Sequence, residues 1–244
     1  MNNLFAKRRT KKVGAGAFTN ARLILSTKIE RRKRATLAGN VAKPLKVVRD
    51  INEAKEIKKH IQEYITALTF ANIPVFETKI IIAKKRNNKF KIIMLQPLIN
   101  KELVMSEYLK HCSNNDAIFR FKETLSIVKK IREQQKTGTK LGIDANPKNM
   151  CICNGKTTLL DFYPAFLEKK ENLNSQEISK QKRGIMRTIK LKLFPKRILK
   201  ITQKRLDKQF DMQSQAETLL QKFIQIRPSL EGQFRRTFEE FKAA

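Results

Sequence analysis

Between Ile51 and Ala71 the apolar residues fall at Ile57, Ile61, Tyr64, Ile65 and Leu68. That three-and-four spacing predicts a helix, and Asn72-Ile73-Pro74 ends it. Elsewhere the pattern shortens. Residues 13–25, VGAGAFTNARLIL, read as a glycine-containing turn and then a strand. Residues 29–43 read as a basic, turn-rich connection, and PLKVVRD at 44–50 as a β-branched strand. VFETKIIIAKK (75–85) and KFKIIMLQPLI (89–99) form two strands joined across Arg86-Asn87-Asn88, an antiparallel hairpin.

A short helix follows at 101–112. A longer one runs over 115–135, with Asn115 or Asp116 as N-cap and Phe119, Leu125, Val128 and Ile131 among its apolar positions. Residues 141–166 then give a loop, a strand, an Asn154-Gly155 turn and a second strand; beyond Leu167 the pattern is helix or coil. Strands, one helix, more strands and then helices with one small hairpin make an α+β, two-lobed layout.

Charge is what sets this composition apart. The 244 residues carry 53 Lys+Arg against 22 Asp+Glu, a net +31, with pI near 10.3. A field of that sign draws polyanions: nucleic acid, an anionic membrane face or a phosphorylated glycan. Residues 1–35 hold eleven Lys or Arg and a single acid, Glu30; Lys180 to Arg205 holds eleven and no acid. In the second run Ile, Leu and Phe interleave with the charges. Its apolar side is expected to pack while its basic side meets a polyanion.

An apolar share of 41% excludes wholesale disorder. No secretory signal is visible and no apolar run is long enough to span a bilayer, so a soluble, cytoplasmic protein is expected, with peripheral contact at the inner membrane face left open. Cys112, Cys151 and Cys153 are odd in number without framework spacing, which fits a reducing compartment, and they are read as buried small hydrophobes. With no Trp and 3 Tyr, the chain lacks the aromatic interleaving that single-strand RNA or DNA binders use.

The candidate chemistry lies in LGIDANPKNMCICNGKTTLLDFYPAF, residues 141–166. Asp144 and Asn149 are five apart, Pro147 lies between them, and a hairpin turning at Asn154-Gly155 would return Asp161 to Asn149. A carboxylate and an amide carbonyl are hard oxygen donors suited to Mg²⁺ carrying nucleotide phosphates. A second carboxylate can orient a hydroxyl and accept its proton as phosphate transfers.

D-x-x-P-x-N, a small hairpin and then Asp-Phe resembles the catalytic loop and metal-binding segment of the protein kinase-like superfamily. That superfamily includes protein kinases, aminoglycoside phosphotransferases and lipopolysaccharide core sugar kinases. The resemblance implies a small antiparallel-sheet N-lobe with one helix (13–97) after a basic tail (1–12), then a mainly helical C-lobe (98–244) holding the catalytic loop 141–166. By it Asp144 is the catalytic aspartate, with Asn149 and Asp161 as Mg²⁺ ligands. Gly14, Gly16 and Phe18 fall where the family has its phosphate-covering loop. Lys46 resembles the strand lysine that pairs with nucleotide phosphates, and Glu63, with Glu56 as competitor, its acidic partner. KIIMLQPLI resembles the strand entering the adenine hinge, around Gln96 to Leu98.

What the resemblance implies is an enzyme using ATP and Mg²⁺, moving the γ-phosphate to a hydroxyl of an anionic or surface-embedded acceptor: a glycolipid such as a lipopolysaccharide core sugar, a small molecule or a protein. The alternatives are a serine/threonine protein kinase, or a kinase-shaped module without catalysis that binds nucleic acid or anionic membrane. Nothing in the sequence signals an oligomeric state. Three positions depart from the family pattern, and no A-P-E-like element follows the Asp-Phe segment. Gly142-Ile143 stands where His-Arg is usual, Tyr163 follows Asp-Phe in place of glycine, and about thirty residues separate Gly16 from Lys46.

Overall fold

The fold follows from local signals that the sequence places at element ends. In the computed structural model the described residues are 10–15, 20–24, 40–85, 88–162, 165–169 and 207–243. Helix α1, Ile51–Phe70, starts where the Asp50 carboxylate accepts the amides of Asn52 and Glu53 at 3.0 and 3.3 Å. It ends where Asn72 turns left-handed at φ 53°. There Ile73 N–H donates to the Leu68 carbonyl (3.0 Å) and Asn72 N–H to that of Thr69 (2.9 Å). Leu68 and Ile73 are both buried, so this is a Schellman stop with its hydrophobic contact, and Pro74 prevents resumption.

Two compact units divide the described residues. The first holds those up to Glu63 together with Glu77–Leu98; the second holds Tyr64–Phe76 and those from Ile99 onward. In the first unit strands β1 (Thr10–Ala15), β2 (Asn20–Ile24), β3 (Asn40–Val48), β4 (Lys79–Lys84) and β5 (Phe90–Pro97) form an antiparallel sheet in the order β1-β2-β3-β5-β4. Ile92, Ile93, Met94 and Leu95 on β5 are all buried, as a strand covered on both faces requires. On β3 the pairing with β5 shifts between Pro44 and Lys46, a bulge at a residue that has no N–H to give the ladder.

The second unit has a helical core. Helix α2 is Met105–His111, α3 Asn114–Lys136, α4 Met212–Ile226 and α5 Glu231–Ala243. Phe121 of α3, Phe223 of α4 and Phe234 of α5 meet with ring centroids 4.9 to 5.6 Å apart, tilted or edge-on. Two small ladders complete it: β6 (Thr139–Leu141) with β9 (Leu167–Lys169), and the hairpin β7 (Met150–Cys153) with β8 (Lys156–Leu159). Asn154 and Gly155, both at positive φ, make the hairpin turn.

The α+β class and the small antiparallel sheet agree with the sequence pattern. Several boundaries do not. Thr10 to Lys12, placed in a basic tail, begin β1, and β3 starts at Asn40, inside the expected connection. The division expected at residue 97 leaves out Tyr64–Phe76. That stretch belongs to the second unit because Phe76 N–H donates to the Leu159 carbonyl and Leu159 N–H to that of Pro74, at 2.8 and 2.9 Å. The N-cap of α3 is Ser113, whose hydroxyl accepts the Asp116 amide, not Asn115 or Asp116. Phe119 is 51% exposed beneath the Arg120 guanidinium, 5.0 Å away, and is not a core residue. Strand β9 runs over Leu167–Lys169, reaching into the stretch beyond Leu167 where only helix or coil was expected. The basic run 180–205 and residues 1–9 lie outside the described residues. Among those described, no helix is long and apolar enough to cross a membrane.

Candidate functional site

The loop from Leu141 to Asn149 is held by its backbone, group by group. Gly142 N–H donates to the Phe166 carbonyl (2.8 Å) and Ile143 N–H to that of Gln209 (2.9 Å). The buried Gln215 side chain accepts the Ala145 amide at 2.8 Å and donates to the Lys208 carbonyl at 2.8 Å. Gln135 donates to the carbonyls of Leu141 and Phe210 at 2.5 and 2.9 Å. The Tyr64 hydroxyl, fully buried, donates to the Gly142 carbonyl at 2.8 Å. Satisfied in this way, an irregular loop can be buried at low cost and hold one conformation.

Gly142 has a steric reason. A Cβ there would lie 2.7 Å from the Gln209 carbonyl oxygen, 2.8 Å from the Phe210 ring and 3.0 Å from Phe166 Cβ. The residue that departs from the family pattern is one that only glycine can occupy at this packing.

Pro147–Asn149 form a 3₁₀ turn capped by Asn146, whose carboxamide oxygen accepts the Lys148 amide at 3.2 Å. The turn brings the Asn149 side chain back, so that its Nδ2 donates to the Asp144 carbonyl at 3.2 Å. With the amide nitrogen so engaged, the Asn149 oxygen is the atom available to a cation. The hairpin β7–β8 then returns the chain: Leu160 and Asp161 both donate their N–H groups to the Asn149 carbonyl, at 2.8 and 3.0 Å. Asp144, Asn149 and Asp161 are therefore brought together through their main chains within the second unit.

The hairpin's far end is fixed by charge. Arg120 donates to the Gly155 carbonyl and to Glu123 at 2.7 Å, and Glu123 accepts both the hydroxyl (2.7 Å) and amide (3.3 Å) of Thr157. Such charge-assisted bonds hold direction well.

Asp144 is exposed as a residue, yet the protein mass around its carboxyl pushes it above the ordinary aspartate range. The Asp161 charge adds to that rise; a hydrogen bond from the Asn149 side chain and the Lys148 and Lys208 ammonium groups oppose it. Burial, and secondarily the Asp144 charge, raise the Tyr64 phenol as well. Phe162 is buried with its ring 6.5 Å from that of Tyr64.

Among the described residues no group of three or more His, Cys, Asp or Glu could hold a metal ion. One carboxylate and one amide oxygen, completed by phosphate oxygens and water, is a donor set that suits Mg²⁺. Cys151 is buried and its thiol is pushed up to about 12, by burial first and then by the neighbouring Cys153, so it packs as a small hydrophobe.

The remaining candidates lie in the first unit. Gly14 is within β1 opposite Ala21, next to a bulge, and not in a turn; Gly16 and Phe18 lie outside the described residues. Lys46, opposite Ile92, has its Nζ 3.9 Å from Glu53, a helix glutamate that the sequence reading did not consider. Glu63 stands 4.0 Å from Lys59 one turn back, and Glu56 is exposed. Gln96 is 5% exposed and donates to the Thr78 hydroxyl at 3.0 Å, whereas Leu98 is 52% exposed.

Sequence reading missed Gln215, Gln135 and the turn at 207–210. Gln215 had a signal: it falls on the buried stripe Met212, Ala216, Leu219 and Phe223, where a polar residue needs a polar partner.

The fold and site together define an α+β protein with an antiparallel five-stranded sheet and an acid-amide-acid set, two members on the 141–149 loop and the third after the β7–β8 hairpin. Residues 19–243 match the model of DUF6206, a family of unknown function, and the chain belongs to that family. No curated protein matches it.

Proposed function

We propose that the protein is an ATP-dependent phosphotransferase of the protein kinase-like type, moving the γ-phosphate to a hydroxyl of an anionic acceptor. The observation that carries this reading is the convergence of Asp144, Asn149 and Asp161, with Asp161 tethered to the Asn149 carbonyl. Support comes also from the antiparallel sheet with a helix between its third and fourth strands, and from a strand lysine, Lys46, facing a helix glutamate.

In this reading Asn149 and Asp161 would hold Mg²⁺, which would supply positive charge to offset that of the nucleotide phosphates. Asp144 orients the acceptor hydroxyl and accepts its proton as the acceptor oxygen bonds to phosphorus and the β,γ-bridging bond breaks, releasing ADP. A carboxyl raised by its surroundings is a better proton acceptor than an ordinary aspartate. Protein mass and fixed dipoles around the loop spare the reaction solvent reorganisation.

The test is Mg²⁺-dependent ADP release from ATP, by the parent and by Asp161→Ala. Turnover in the parent that vanishes in the variant supports the reading. Equal turnover in both, or none in the parent, contradicts it.

A further inference from the structure

Two lysines on separate parts of the chain are carried by backbone that is bonded to the loop holding Asp144. Lys148 is in the 3₁₀ turn that positions Asn149, and Lys208 is in a single helical turn at residues 207–210. Both are exposed. Among the described residues neither ammonium makes an ion pair or a hydrogen bond. In a chain with 53 Lys and Arg, two such lysines mean little by number. Their mounting is what separates them from the rest.

The turn carrying Lys208 is fastened to the loop carrying Asp144 at four points. Gln215 bridges the Lys208 carbonyl and the Ala145 amide, one residue from Asp144. Ile143 N–H, on the other side of Asp144, donates to the Gln209 carbonyl. Gln135 joins the carbonyls of Leu141 and Phe210. The Lys140 ammonium lies 4.8 Å from the centroid of the Phe210 ring. Asp211 closes the segment by capping α4, its carboxylate accepting the amides of Gln213 and Ser214 at 3.1 Å. A backbone fixed this closely keeps the Lys208 residue attached beside the loop that carries Asp144.

From this mounting we infer that Lys208, with Lys148, forms an anion site beside Asp144 that binds a phosphate group carried by the acceptor. The inference rests on the phosphotransferase reading and deepens it by naming the acceptor's chemistry. Gln215 sets the Lys208 carbonyl against Ala145, the residue after Asp144, and Lys148 lies in the turn whose next residue, Asn149, donates to the Asp144 carbonyl. Two cations from independent elements suit an oxyanion with several charged oxygens better than a neutral sugar or alcohol. Lys208 is a positioning residue for the acceptor and has no part in the bond changes.

The test uses the full chain saturated with Mg²⁺ and a non-hydrolysable ATP analogue, so that nucleotide phosphates are already placed. Inorganic phosphate is then titrated calorimetrically into the parent, Lys208→Ala, Lys208→Arg and Lys242→Ala, the last on α5 as a control for overall basicity. The expected result is a dissociation constant raised at least about tenfold in Lys208→Ala and kept within about twofold in Lys208→Arg and Lys242→Ala, a tenfold change being what loss of one ionic contact of about 1.4 kcal/mol produces. Analogue binding should be the same in the parent and all three variants. Equal phosphate affinity in the parent and Lys208→Ala overturns the inference, as does an equal fall in Lys242→Ala. Failure of the parent to bind the Mg-nucleotide analogue overturns the phosphotransferase reading itself, and the acceptor inference with it.

Discussion

The Asp161 N–H donates to the Asn149 carbonyl across 3.0 Å, so two side chains twelve residues apart are fixed by their main chains. The β7–β8 hairpin enforces the contact, and nothing in it depends on either side chain. Asn149→Ala should therefore keep the tether and lose the amide. Proposed activity should fall about 10²–10³-fold, the loss typical of deleting one preorganised electrostatic contact. Stability should change by only about 1 kcal/mol, the worth of one ordinary hydrogen bond. Steady-state ADP release and urea unfolding of the same preparation check both halves.

Asp144 gives a prediction in pH. Its folded pKa lies above the unfolded value, so the native state binds the proton more tightly. Stability from this group is present below the ordinary aspartate range and is lost as pH rises through the folded pKa. Asp144→Asn should therefore melt higher than the parent at pH 7, and the gap should close in acid, where the parent carboxyl is protonated in both states. Activity should fall about 10²–10⁴-fold in the same variant, the usual contribution of a positioned base. Thermal melts across pH together with turnover would show this opposition of stability and function.

Gly142→Ala should destabilise by about 1–3 kcal/mol, the usual range for overpacking. Its Cβ would meet the Gln209 carbonyl at 2.7 Å, a backbone atom that cannot rotate away. Denaturant midpoints measured with an unchanged slope would confirm a change in stability alone.

Gln215→Leu keeps the volume and removes both bonds, orphaning the Ala145 amide and the Lys208 carbonyl. The expected loss is about 1–3 kcal/mol. Gln215→Glu retains an acceptor for Ala145 but not the donor, and should fall between the parent and Leu.

Much of this was legible in the sequence. The spacing of Ile57, Ile61, Tyr64 and Leu68 specified α1, and Asn72-Ile73-Pro74 its end, because both signals are local. Asn154-Gly155 specified the hairpin turn, and with it the meeting of Asn149 and Asp161, since only residues tolerant of positive φ suit that turn. What escaped was non-local or carried by backbone. The bond from Gln215 to Ala145 spans 70 residues and leaves no periodic trace. The ladder β6–β9 has three residues per strand, too short to show alternation. Lys46 meets Glu53 because α1 begins three residues after β3 ends, a register that helical spacing does not reveal. Phe119 is one of the apolar positions of α3, but the buried face of the helix runs through Ala117, Phe121, Leu125 and Val128.

The most direct measurement of the central claim is thermal unfolding of the parent and of Asp161→Ala, each with ATP, with and without Mg²⁺. A ligand selective for the native state stabilises it by about 2.7 kcal/mol at a hundred times its dissociation constant. The account predicts a melting temperature raised several degrees by Mg-ATP in the parent, little by ATP alone, and not at all in the variant. An equal rise in both proteins regardless of Mg²⁺ would mark simple polyanion binding by a basic surface and contradict the account.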